Sequence, residues 1–130
     1  AARKRMMQAL QKHRVSNPVI LGGDSHMFWV SDMPLDPDMP NSPVIGTDLA
    51  VSAITSRTLV PSWAVGALLA ENQHIHYANT EHRGYLRVTV TPKNLTADLR
   101  GMLDVDTREA RCNTLASFLV EDGRAGPRRI

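Results

Sequence analysis

Residues 19–26 read VILGGDSH, an uninterrupted apolar run followed by two glycines, an aspartate, a serine and a histidine. Apolar runs of this length are typical of strands that are covered on both faces. Pro18 disfavours a helical conformation for Asn17, so the chain enters the run extended. The pattern therefore predicts a central β-strand over 19–21 that ends in a tight glycine turn.

Two helices are predicted on either side of this strand. Apolar residues at helical spacing, with Lys, Arg and Gln on the other side, predict a surface helix over 3–13. Pro61 stands at a favourable first helical position and begins an apolar stretch that predicts a second helix, ending near Asn72. The chain starts inside the first predicted helix, so we expect the natural protein to continue upstream of Ala1.

The second half of the chain follows the two-residue period of strands. Apolar and polar residues alternate over 84–90 and 95–99, which predicts a hairpin with one solvated face. A last strand is predicted over 114–120 and a loosely ordered tail over 123–130. The order of elements indicates an α/β fold, with a mixed sheet, flanking helices and C-terminal antiparallel strands.

The region between the first strand and the second helix has a less regular pattern. Three prolines fall within residues 27–42, which predicts a long irregular loop. A short apolar strand is predicted over 43–45. Residues 46–56 are rich in Ser and Thr, and we regard them as able to hydrogen-bond to a site.

Composition bounds the classes to which the protein can belong. The 130 residues are 42% hydrophobic and 22% charged, as expected of at most one compact domain over 1–130. No apolar run approaches the roughly 20 residues that a membrane-spanning helix needs. The formal net charge is only +2 and aromatics make up 5% of the chain, with none between the basic residues at the two ends, which argues against nucleic-acid binding.

The single cysteine, Cys112, excludes an internal disulfide. Its flanks predict a strand, and no histidine stands near it in sequence. We therefore expect a buried thiol that packs as a small hydrophobic residue rather than a catalytic group.

Asp24 and His26 are the candidate metal ligands. They stand two residues apart at the end of the predicted strand, so we expect their side chains to leave the chain on one side. Ligands collect outside the carboxyl ends of strands in open α/β sheets, and hard or borderline cations accept carboxylate and imidazole. Two ligands do not complete a metal site. Spacing alone also leaves open a structural reading, in which the aspartate caps a turn and the histidine is only hydrogen-bonded.

Other residues carry weaker signals. His74, His76 and His82 could be taken for a zinc cluster, but polar neighbours and the lack of a zinc-type ligand spacing favour an exposed polar segment. Phe28 and Trp29 follow the candidate ligands, and they either anchor the following loop or wall a substrate pocket.

Several separated motifs resemble the alkaline phosphatase D family. Residues 17–29, NPVILGGDSHMFW, resemble the family's strand and metal-binding turn, in which a Gly-Asp-x-His motif is followed by an aromatic. Later stretches resemble the family in the same order, namely 72–75, 82–85, 90–92, 96–98 and 118–124. This chain departs from the family at Leu95, where a tryptophan is common, and at Gln73, where proline is more usual.

The resemblance implies a metallophosphatase-like α/β sandwich and a phosphomonoesterase or phosphodiesterase that hydrolyses phosphate esters. It also implies a two-metal centre described in the family with iron and calcium, and export to the periplasm or the exterior. Asp24 and His26 match the family's late metal ligands. An early aspartate, a cysteine, a tyrosine and an asparagine would lie upstream of Ala1. The resemblance thus makes 1–130 the C-terminal portion of a domain whose N-terminal half is absent.

Overall fold

A computed structural model describes residues 2–39 and 41–130. Ala1, from which the upstream continuation is predicted, and Pro40, within the predicted loop, lie outside the described residues. In the described ranges the elements are α1 (Ala2–Lys12), β1 (Val19–Gly22), β2 (Phe28–Pro34), β3 (Val44–Ala50), α2 (Ser62–Glu71), β4 (Ile75–Asn79), β5 (Arg83–Val90), β6 (Asn94–Met102), β7 (Cys112–Glu121) and β8 (Arg128–Arg129).

The strands form two sheets. The first has the order β1-β3-β2-β4, with β1 parallel to β3, and with β2 antiparallel to both β3 and β4. The second has the order β5-β6-β7-β8, and every pair in it is antiparallel. The predicted α/β class, with a mixed sheet and C-terminal antiparallel strands, is confirmed.

The core lies between the two sheets. Their inner faces contribute a single cluster of buried residues, which comprises Phe28, Val30, Leu49, Ala97, Leu99, Ala116 and Phe118. Tyr77 of the first sheet meets Phe118 of the second edge-to-face, with ring centroids 6.3 Å apart. Alternate residues of β6 and β7 are buried, as expected of strands with one inward face. The fold is therefore a two-sheet sandwich.

The predicted hairpin is confirmed as β5 and β6. Thr91 stabilises its turn, since the Thr91 hydroxyl oxygen accepts the N–H of Lys93 at 3.3 Å and of Asn94 at 3.1 Å. The Thr91 N–H donates to the Asn94 carbonyl at 2.8 Å. A side chain that hydrogen-bonds its own turn is the reason that the Thr-Pro sequence ends one strand and starts the next.

The first apolar run lies at the edge of its sheet among the described residues, so the prediction of a central strand is wrong for them. β1 pairs with β3 alone, and Leu21 is 59% exposed. Apolar residues without alternation indicate that both faces are to be covered, but the periodicity carries no information about which segments cover them.

The long loop predicted over 27–42 is also wrong in its first half. Its first half is β2, which lies between β3 and β4 and contributes Phe28 and Val30 to the core. Pro34 is the last residue of β2, and the pairing register with β3 shifts between Met33 and Pro34. The first proline of the segment therefore marks the end of a strand and does not prevent the strand from forming. The strand predicted over 43–45 extends to Ala50.

Three smaller predictions also need correction. The histidine-rich segment, predicted to be polar and exposed, contains β4 with a buried Ile75. The tail is more ordered than predicted, because Arg128 and Arg129 pair with β7. Cys112 is a free thiol at the start of a strand, as predicted, but it is half-buried rather than buried.

Both predicted helices are present and flank the first sheet. α1 buries Met7 and contacts β3, while α2 packs on β4 and has no fully buried residue. The apolar sequence of α2, SWAVGALLAE, therefore leaves much apolar surface exposed, including Trp63 at 83%. No helix in the described part of the chain is long and apolar enough to cross a membrane.

Candidate metal-binding turn

Three connecting segments meet at one end of the first sheet. Gly22 at the end of β1 is the register partner of Ala50 at the end of β3, and these two strands are parallel. At the same end, Phe28 begins β2 opposite Asn79, the last residue of β4. The segments 23–27, 51–61 and 80–82 therefore leave the sheet together, at the edge where sites in α/β sheets are expected.

Asp24 and His26 lie in a four-residue turn. The His26 N–H donates to the Gly23 carbonyl at 3.1 Å, and His26 has φ of 53°, in the left-handed region that residues other than glycine rarely adopt. Asp24 is exposed and His26 is half-buried. Because both residues belong to a turn, the strand alternation from which we predicted a common direction does not apply. Their role as metal ligands stays a prediction.

Other side chains hold this turn in place. The Thr58 hydroxyl donates to the Ser25 carbonyl at 3.1 Å, and the Ser52 hydroxyl lies 3.3 Å from the His26 carbonyl. Ser52 belongs to the stretch over 46–56 that was predicted to hydrogen-bond to a site, and it contacts the backbone of the candidate turn. The carboxylate of Asp24 and the ring of His26 are not used to build the turn.

A buried arginine lies beneath the turn. Arg83 is 8% exposed, and its Nη1 donates to the carbonyls of Thr80 and His82, each at 3.1 Å. The same Nη1 lies 3.4 Å from the Ser52 hydroxyl, which in turn reaches the His82 carbonyl at 2.9 Å. Arg83 and Ser52 thus connect the segment 80–82 to the His26 carbonyl, and these contacts stabilise the position of the candidate turn.

The three other histidines of the weaker motif do not form a metal cluster. His76 Nε2 lies 3.0 Å from a carboxylate oxygen of Asp32. His82 instead faces Asn79, whose Oδ1 accepts the His82 N–H at 2.9 Å and lies 3.2 Å from Nδ1. In residues 2–39 and 41–130 no three His, Cys, Asp or Glu side chains come together as metal ligands do.

Phe28 and Trp29 have different roles. Phe28 is fully buried in the core, so it anchors β2 rather than lining a pocket. Trp29 points to the other face of the strand and is half-buried. A pocket-lining role for Trp29 stays a prediction.

Comparison with known proteins identifies the family. The family model described as "PhoD-like phosphatase" matches residues 1–99 of this chain. The chain belongs to the PhoD-like phosphatase family. The match includes the Gly-Asp-Ser-His turn and the segments that support it, Ser52, Thr58 and Arg83.

Two individual proteins agree with the PhoD-like assignment. Alkaline phosphatase D of Bacillus subtilis (strain 168) is 33% identical over 132 residues, which cover all of this chain and 22% of that protein. A solved structure titled "Structure of PhoD" matches with a TM-score of 0.87 at 32% identity, over 98% of this chain and 24% of that one. The chain thus spans about a quarter or less of the length of these PhoD-like relatives.

The supporting residues of the PhoD-like turn were harder to predict than the turn itself. Ser52 was included only as part of a polar stretch, and Arg83 was missed. Ser52 hydrogen-bonds backbone carbonyls about 30 positions away in the sequence. Arg83 hydrogen-bonds the carbonyl of a residue close to it in the sequence. Every segment of a chain offers such carbonyls, so no residue-type pattern marks these pairs in the sequence.

Proposed function

We propose that this chain is the C-terminal portion of a metal-dependent phosphoesterase that hydrolyses phosphate esters, and that Asp24 and His26 are two of its metal ligands. The single observation that carries the proposal is the Gly-Asp-Ser-His turn at the carboxyl edge of the first sheet, in a chain of the PhoD-like family. We also propose iron and calcium as the metals, from the resemblance of residues 17–29 to the family's metal-binding turn, and export from the cytoplasm, which family membership supports.

The residues of the turn suit a metal ion. Asp24 is exposed and His26 half-buried, and the turn is held through its backbone by Ser52 and Thr58. The carboxylate and the imidazole therefore remain free to donate to a cation that prefers oxygen and nitrogen ligands. Further ligands have to come from elsewhere in the full-length protein, because metal sites need three or four protein groups.

A metal ion held by Asp24 and His26 together with further ligands would supply Lewis-acid chemistry to a phosphate ester. The residues of this chain have a positioning role in that chemistry. The left-handed backbone of His26 sets the direction of its ring, and the contacts of Ser52 and Thr58 resist movement of the turn. Since Arg83 holds Ser52 from the buried side, it contributes to the same positioning.

Metal content and hydrolysis of the full-length protein test this proposal. We expect Asp24→Ala and His26→Ala each to reduce bound metal, measured by mass spectrometry, and hydrolysis of a chromogenic phosphodiester by about 100-fold or more, as losses of ligands and their supports do. Asp122→Ala and His13→Ala remove an exposed carboxylate and an exposed imidazole elsewhere, and should leave both quantities unchanged.

Normal metal occupancy in both turn variants would refute the ligand assignment. If the full-length wild-type protein fails to hydrolyse phosphate esters, or does so equally well with a chelator present, the metal-dependent phosphoesterase proposal is wrong. That result would favour a non-catalytic module in which Asp24 and His26 are structural.

A further inference from the structure

A pocket of about 350 Å³ lies beside the candidate metal-binding turn. Its walls come from the segment 51–61, from the first residue of α2, from residues 80–83 at the start of β5 and from Val105 in the loop between β6 and β7. Thr58 lines this pocket and also donates to the Ser25 carbonyl, so the pocket and the turn share a wall. A group bound here would therefore lie next to whatever the turn binds.

Positive charge dominates the pocket walls. Arg57 and Arg83 both line it, and Glu81 is the one carboxylate among the lining residues. Arg83 is 92% buried, since its exposed fraction is 8%, and in the described part of the chain it forms no ion pair. Its hydrogen bonds go to neutral carbonyls and a hydroxyl, all from Nη1. A buried guanidinium without a counter-ion is costly, and a bound anion would compensate its charge.

The start of α2 adds hydrogen-bond donors to the same wall. Ser62 begins the helix and lines the pocket, while the preceding Pro61 provides no side-chain cap. The first turn contains no acidic residue. Free backbone N–H groups at a helix start carry partial positive charge and bind phosphate-type anions.

An independent observation comes from the rest of the Arg83 guanidinium. Arg83 is 92% buried and lines the pocket, and its Nε and Nη2 form no hydrogen bond among the described residues. Buried donors are nearly always paired, because a lost hydrogen bond is costly. An oxyanion in the pocket would provide the acceptor that these two nitrogens lack.

We propose that this pocket is an anion subsite that binds a phosphate group other than the one being hydrolysed at the metal centre. The role of the pocket as a subsite rests on the proposed phosphoesterase function. The binding of an oxyanion in the pocket does not depend on metal. The bound group is either a second phosphate of the substrate or free inorganic phosphate. Arg57, Arg83 and the N–H groups at the start of α2 are the donors.

Titration of inorganic phosphate into the full-length protein in the presence of a chelator tests the subsite separately from hydrolysis. We expect wild-type protein to bind phosphate without metal, and Arg57→Gln to weaken binding about fivefold or more, since charge-assisted hydrogen bonds are lost. Arg57 is exposed, so the variant should fold. Arg5→Gln removes an exposed arginine of α1 and is the matched control.

Equal phosphate affinity in the wild type and Arg57→Gln, or no binding by the chelated wild type, would overturn the subsite whether or not the enzyme hydrolyses esters. Kinetics of the metal-loaded enzyme then identify the source of the anion. A second substrate phosphate predicts that Arg57→Gln raises KM for an ester with two phosphate groups but not for one with a single phosphate. Free phosphate predicts weaker product inhibition in Arg57→Gln with both esters and unchanged KM.

Discussion

Asp98 shows how single residues stabilise the second sheet. It lies on β6 directly opposite Arg87 of β5 and Ser117 of β7. The Ser117 hydroxyl donates to one carboxylate oxygen at 2.6 Å, and Arg87 donates to the other at 2.6 and 3.0 Å. These hydrogen bonds favour the ionised form, so they hold the pKa of the Asp98 carboxyl below its ordinary value of 3.8.

We therefore expect Asp98→Asn to lower the free energy of unfolding of the 130-residue chain by about 1 kcal/mol at neutral pH. A carboxyl whose pKa is lowered by folding stabilises fully above its unfolded pKa, and this contribution is lost as pH falls through the folded pKa. Urea denaturation above and below pH 3.8 measures the difference. Asp122→Asn is the control, and a difference between Asp98→Asn and wild type that is independent of pH would contradict the prediction.

The amino-acid type alone predicted a candidate site residue only where the side chain itself would bind the metal. Asp24 and His26 could be proposed as ligands because few roles require a carboxylate and an imidazole after a glycine turn. Arg83 could not be proposed, because its importance comes from burial and from partners brought close by folding. The left-handed backbone of His26 was equally hidden, since asparagine or glycine is the usual signal for it.

At the scale of elements, periodicity predicted α1 and the hairpin, which have repeating patterns over many residues, while Pro61 before an apolar stretch predicted α2. It failed for β2, where three nearby prolines obscured six residues of strand pattern before Pro34. It also failed for β4, a five-residue strand with one buried residue. The edge position of β1 depends on pairing with a segment about 28 positions away, and no local pattern encodes that.

The pairing of β5 with β6 gives a sharp test at this scale. Gly84 lies opposite Gly101, and a Cβ atom at Gly84 would lie 1.9 Å from the Arg100 carbonyl oxygen. Gly84→Ala must therefore push the two strands apart, and we expect it to lower the free energy of unfolding by about 2 kcal/mol or more. Gly66 of α2 has open space around a Cβ, so Gly66→Ala should stabilise the chain by about 0.5–1 kcal/mol.

Thermal denaturation of the 130-residue chain at one low protein concentration compares the two glycine variants. Opposite shifts of Tm are expected, downward for Gly84→Ala and upward for Gly66→Ala. If Gly84→Ala unfolds at the wild-type temperature, the close approach of β5 and β6 at this position is wrong.

At the scale of the whole molecule, three of the most exposed large apolar side chains lie close together in sequence. Leu59 is fully exposed, Trp63 is 83% exposed and Ile54 is 70% exposed, and all three lie in α2 or in the segment that precedes it. Exposed apolar surface of this kind usually marks an interaction site. Since the chain spans 22% of alkaline phosphatase D, we expect the remainder of a longer protein to cover this surface.

The 130-residue chain alone is therefore expected to self-associate through this surface. Trp63→Lys should weaken the association by about tenfold, because burial of a large apolar side chain contributes about 1.5 kcal/mol or more. Val90, 71% exposed at the end of β5, lies in the other sheet, so Val90→Lys is a control that adds the same charge without affecting association. Sedimentation velocity over a range of concentrations measures the effect. A monomeric wild-type chain, or equal weakening of association by both variants, would contradict the prediction that the chain self-associates through the surface around Trp63.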